Sequence, residues 1–199
     1  MPDLTPWSST KIANVNPAVF RPHLDLPDDA AAAYDASRDV AAALAALEAG
    51  GFLLPAVRLL AHALLRRQAV WWGHVCVRHT NPAPSAPDAA CLDAAELWVR
   101  HQTDETRRAA YAAAEASHHG TAAAWVCTAA FWSGDSISPL GQPSVAPPPH
   151  LSGLAVAGAV VLASVRSRPE RQQERLARFI SSARDIAAGG YGPLAPETG

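Results

Sequence analysis

Residues 151–165 read LSGLAVAGAVVLASV, the one long apolar stretch of the chain with no charge in it. Leu151, Leu154, Ala155, Gly158, Val161, Leu162 and Val165 recur at the i, i+3, i+4, i+7 spacing of one helical face. Val156 and Val160 make the other side apolar too. A helix that is apolar all round belongs in a core or in a membrane. A membrane span takes about 20 apolar residues, and this run stops short of that at Arg166 and Arg168. The reading is a buried central helix. Its glycines and alanines leave little bulk, so neighbouring helices can approach it closely.

Outward from this post the pattern is helical throughout, with no convincing strand. A first helix is expected to start near Asp35, with Val40, Ala43, Leu44 and Leu47 on one face and Gly50-Gly51 as its stop. Leu53, Val57, Leu60, Ala61 and Leu64 mark a second helix, close enough to pair with the first as an antiparallel hairpin. RRQAVWWGHVCVRH predicts a third, from about Arg66 to before Asn81-Pro82, with Trp72, Cys76 and His79 along one side. After a Pro-rich linker, Asp88 is placed to cap a fourth carrying Leu92, Ala95 and Val99. Thr103 followed by Asp104 and Glu105 is the N-cap signature of a fifth, and residues 121–132 make a sixth. Pro169 and Glu170 open the last helix, with Leu176, Phe179 and Ile180 on its buried face and the arginines at 171, 175, 178 and 184 mostly away from it. The expected fold is one all-α domain of seven or eight helices packed as antiparallel hairpins around 151–165. Residues 35–190 form that domain. Residues 1–34, rich in proline, are expected as an extended, partly disordered arm anchored by Trp7, Val19 and Phe20, and 191–199 as a flexible tail.

Composition narrows the function classes. A net charge of −2 gives no basic field for nucleic acid. The opening MPDLTPWSSTKIANVNP has no charged stretch followed by an apolar run, which predicts no Sec-type leader. Three cysteines then fit a reduced, cytoplasmic protein with free buried thiols.

No complete catalytic set is visible. His74, Cys76, His79, His118, His119 and Cys127 could converge if their helices pack, but their spacing is not that of a zinc site, and no CxxC occurs. Cys76 and Cys127 lie on apolar, Trp-bearing faces where a thiol is inert. GxSxG, Walker A and GxGxxG patterns are absent. Glu96 and Arg100, four apart, read as a surface pair. The expectation is no enzyme, no metal and no cofactor. Trp71 and Trp72 are adjacent on one helix and cannot point the same way, so one lies nearer the surface. Arg67, Trp71, Arg78 and Trp132 are the candidate anchors for a protein partner, since Trp and Arg dominate interface hot spots.

The segments AVWWGHVCVRH, LDAAELWVRHQTDETRRAAYAAAE, AWVCTAAFWSG, PPPHLSGLAVAGAVVLASV and RPERQQERLARFISSARDIAAGG occur in that order. With their WWGxxCxR, W-x5-DExRR and FWSG motifs, they resemble an uncharacterised bacterial family known only as a domain of unknown function, over roughly residues 40–190. Members of that family occur near genes for type VI secretion, including PAAR-like spike tips and their adaptors. The resemblance carries no catalytic residue. It implies a cytoplasmic accessory protein, an adaptor or chaperone for a spike, PAAR-like or effector protein, with no membrane insertion. An immunity or regulatory protein that blocks a toxin is the alternative, and a His/Cys metal protein or enzyme a weaker one.

Overall fold

The computed structural model describes residues 11–197. They hold nine α-helices: α1 Asp28–Asp35, α2 Val40–Ala49, α3 Leu53–Ala63, α4 Arg66–Thr80, α5 Ala86–His101, α6 Asp104–Ala116, α7 Ala122–Trp132, α8 Leu151–Val165 and α9 Gln172–Ala187. The fold is all-α, and α8 is its centre, packed on α7, α4, α3 and α9. Among the described residues no single helix is long and apolar enough to cross a membrane. The one pair that reaches the length together, Leu151–Val165 with Pro169–Ala187, is bent by 117°.

The side of α8 that enters the core is not the one with the leucines. Ser152, Val156, Ala159, Val160 and Ala163 are buried, whereas Leu154 and Leu162 are 45% and 43% exposed. Three helices crowd α8, and close approach selects small side chains. The Ser152 hydroxyl donates to the Ala129 carbonyl at 3.0 Å across the α7 contact. A Cβ on Gly153 would lie 2.3 Å from His62 Nδ1 on α3, so that crossing needs glycine. Larger side chains fill the gaps elsewhere: Trp72 is fully buried and donates from its ring nitrogen to the Phe179 carbonyl at 2.8 Å.

Both chain ends depart from the expected arm and tail. The described part of the arm forms two 3-10 turns, Pro17–Val19 and Arg21–His23, and then α1. Pro17, Pro22 and Pro27 sit at helix starts, where the missing N–H costs nothing. Leu24 and Tyr34 are buried, and the Tyr34 hydroxyl donates to the Pro17 carbonyl at 2.6 Å. Val19 is exposed and anchors nothing, while Phe20 packs on the core. Trp7 lies outside the described residues. At the other end, residues 191–197 run along α9 and α4 as a strap. Ser182 donates to the Gly192 carbonyl at 2.7 Å, and the Glu197 amide donates to the His79 carbonyl at 2.8 Å.

Three local expectations also change. Ser85, not Asp88, caps α5. The buried Asp88 carboxylate instead accepts from the Thr121 hydroxyl at 2.7 Å and from Asn81 at 3.3 Å, joining the starts of α5 and α7 to the end of α4. Pro169–Arg171 is a 3-10 turn before α9 rather than its first turn. Arg175 is only 2% exposed, because its guanidinium holds Glu197 in a paired contact at 2.7 and 3.0 Å and donates to carbonyls at the end of α8.

Candidate functional site

A groove of about 420 Å³ opens where α4, the end of α5, the end of α9 and Lys11 come together. Trp71 lies in its wall, partly buried, and its ring nitrogen donates to the Tyr191 carbonyl at 2.9 Å. Behind it the His74 ring stacks nearly flat on the indole, 5.1 Å between centroids and 12° between planes. Burial pulls the His74 pKa down, against the carboxylate of Glu96, so the ring is neutral at neutral pH. Glu96 reaches both ways, to His74 Nε2 at 3.8 Å and into an ion pair with Arg100. Arg67 donates from Nε to the Val99 carbonyl at 2.7 Å, which steadies the last turn of α5. Its terminal nitrogens hold no partner among the described residues. Lys11 stands at the rim, held through its backbone to Ala187 and Leu65. Among the described residues, Lys11, Arg67 and Arg100 face a single acid, Glu96, so their part of the lining carries excess positive charge.

Of the four anchors expected from the sequence, the groove brings together Arg67 and Trp71. Arg78 is exposed on α4 two turns beyond Trp71 and does not line it, and Trp132 packs partly buried against the core. Lys11, Glu96, Arg100 and Tyr191 were missed, and only the Glu96–Arg100 spacing gave any sign of them.

The other titratable groups are placed as follows. His74 and His79 are buried. His79 Nδ1 bonds the Ala195 carbonyl of the strap, and its Nε2 lies 3.5 Å from Glu197. Cys76, Cys91 and Cys127 are free and buried. Among the described residues, no group of three or more His, Cys, Asp or Glu side chains could hold a metal ion. His23, His62 and His150, from three separate segments, form a column of rings 5.1 and 4.6 Å apart beside a second cavity.

The short motifs meet in space, and what they build is a joint. Arg107 is 4% exposed; it donates to the Phe131 carbonyl at 2.8 Å and its guanidinium lies 4.8 Å from the centre of the Phe131 ring. Asp104 pairs with Arg107 and, at 2.7 Å, with Arg108, and these two arginines hold its carboxyl below the usual range. A Cβ on Gly134 would lie 2.5 Å from Arg107, which explains the glycine after Phe131-Trp132-Ser133. Arg66 closes the same end of α7 through the Ser133 carbonyl at 2.6 Å. DExRR and FWSG thus form one helix-end clamp in which Asp104 pairs with both Arg107 and Arg108. Residues 43–187 match DUF6931, a family of unknown function. The chain belongs to that family. The match runs from within α2 to the last residue of α9. In DUF6931 terms the clamp and the groove residues Arg67, Trp71, Glu96 and Arg100 are family territory, whereas Lys11 and Tyr191 lie outside it. No curated protein and no solved structure matches the chain.

Proposed function

We propose that this DUF6931 protein is a non-enzymatic, protein-binding accessory of a type VI secretion apparatus, an adaptor or chaperone acting in the cytoplasm. Its partner is an acidic segment of a spike, PAAR-like or effector protein, seated in the groove beside Trp71. One observation carries the reading: a partly exposed indole, backed by a flat neutral imidazole, in a groove with more cations than acids. An aromatic anchor beside arginine is the composition of an interface hot spot, and the surplus charge would steer an acidic partner.

The test is capture by the tagged full chain from the native host with its secretion genes expressed. A spike, PAAR-like or effector protein is expected on the wild type and lost, by about tenfold or more in affinity, from Trp71→Ala and Arg67→Glu. Affinity should also fall as salt rises. Clean recovery of the chain as a monomer would overturn the reading. So would equal capture by Trp71→Ala. Capture of a toxin together with loss of its activity would replace the adaptor with an immunity protein.

A further inference from the structure

α5 and α7 pack side by side, and two of the three cysteines meet in that seam. Cys127 Sγ donates to the Cys91 carbonyl oxygen at 2.9 Å. Cys91 Sγ lies 3.4 Å from the Ala113 carbonyl and 3.7 Å from the Ser117 hydroxyl on α6. The pairing splits the two sulfurs chemically. The neighbouring Cys127 thiol, and then Ser117, pull the Cys91 thiol below its ordinary value in spite of burial, while Cys91 and burial push Cys127 up. Cys76, on α4, has no thiol neighbour and burial alone drives it far up. Reactivity follows thiolate character, so the three cysteines are not equivalent. Ser117 directly precedes His118 and His119, whose φ values of 55° and 52° are left-handed. Such backbone is strained for a side chain with a Cβ, which favours opening of the turn that covers Cys91.

We propose that Cys91 and Cys127 are an oxidisable dithiol that a peroxide converts into a disulfide bonding α5 to α7. The Cys91 thiolate attacks one oxygen of hydrogen peroxide. An S–O bond forms, the O–O bond breaks and hydroxide leaves, so sulfur is oxidised to the sulfenic acid and the peroxide is reduced. Cys127 then attacks the Cys91 sulfur. The S–S bond forms, the S–O bond breaks, and the departing hydroxide leaves as water with the Cys127 proton. Two electrons have passed from the thiol pair to the peroxide, and thiol reductants reverse the change. Because Cys127 Sγ already lies against Cys91, the bond forms without moving either helix far. It closes the chain between residues 91 and 127 into a loop, which restrains the unfolded state.

The experiment treats the folded full chain with hydrogen peroxide at neutral pH, blocks remaining thiols and maps disulfides without reduction. Trypsin separates the cysteines, since arginines at 67, 78, 100, 108 and 166 put Cys76, Cys91 and Cys127 on different peptides. The expected product is a linked Cys91–Cys127 peptide pair, with Cys76 still a free thiol and reacting about tenfold or more slowly. The oxidised protein should melt at a higher temperature, and dithiothreitol should return it to the starting value. Cys127→Ser should stop at a Cys91 sulfenic acid that dimedone traps. The wild-type map decides the matter even if that variant fails to fold. Three thiols that stay unmodified until the protein is denatured would overturn the proposal, as would oxidation of Cys76 as fast as Cys91, or disulfides formed only between chains.

Discussion

Lowering the pH from 7 to 5 should destabilise the fold through one buried imidazole, His62. Its surroundings are His23 on the second 3-10 turn, His150 just before α8, the Phe20 ring and Arg66, and no carboxylate lines that cavity among the described residues. Burial first, and then His23 and His150, bring the His62 pKa down from 6.5 to about 4. A histidine depressed in the folded state binds its proton in the unfolded state first. The unfolded chain therefore holds more protons between about pH 6.5 and 4, and stability falls as pH falls through that window. From 6.5 to 5 the loss is 1.5 units at about 1.4 kcal/mol each, or about 2 kcal/mol. For a chain of this size that is a fall of roughly 4–8 °C in melting temperature. Urea unfolding at the two pH values measures it, comparing the wild type with His62→Phe, which keeps a ring against Phe20. The variant should lose about 2 kcal/mol less than the wild type over the same interval. Carboxylates and the other histidines titrate in both proteins and cancel in the difference. Identical pH slopes would refute the claim that His62 is held neutral by burial.

Three further substitutions probe the paired arginines. Arg107→Ala removes a charged hydrogen bond to the Phe131 carbonyl and the stem packed under it, so it should cost about 3 kcal/mol in chemical denaturation. Arg108→Ala, at a more exposed pair, should cost under about 1 kcal/mol. Equal losses would show that Arg107 does not hold the end of α7. Glu197→Gln leaves the buried Arg175 guanidinium with neutral acceptors alone, at a cost of about 2 kcal/mol. Chymotrypsin should then cut at Tyr191 faster than in the wild type, and the Trp71 emission should shift as its bond to Tyr191 is lost. Because Arg175 holds the Glu197 carboxyl below its usual range, the strap's contribution is full above about pH 4.5 and lost as pH falls through the folded value. Cleavage rates that match across the two proteins would mean that the ion pair does not secure the strap.

Helix boundaries were legible where chemistry forces them locally. The run Arg66–Thr80 ends against Asn81-Pro82, and Leu151–Val165 lies between a triple proline and Arg166. What depended on distant partners was not legible. Prolines in residues 17–27 look like breakers but sit at helix starts, and nothing local shows that Tyr34 finds the Pro17 carbonyl. The leucine stripe of α8 follows a helical period as well as its small side does, and only the crowding by α3, α4 and α7 decides which turns inward. Of the groove, Trp71 and Arg67 could be named as anchors from residue type alone. Lys11 and Tyr191 are far from them in sequence and meet them only because the described segments at residues 11 and 191 lie against α4 and α9.

One physical demand runs through these surprises. Helices that pack at alanine distance bury their ends, and the last carbonyls of a helix then need donors. The chain supplies arginine. It has 15 arginines and one lysine among its 16 cationic residues. Arg107 and Arg66 serve the end of α7, Arg175 the end of α8 and Arg67 the end of α5. Lysine could not replace them, because a single ammonium has no Nε to leave at the carbonyl while its terminal nitrogens reach elsewhere. Arg67 shows why this matters for the proposed function. Its Nε is held by Val99, which fixes the side chain against the groove wall, and among the described residues its two terminal nitrogens have no partner. The demand that finishes helix α5 therefore also pre-organises a cation beside Trp71, so a partner would find the anchor already ordered and lose less entropy on binding.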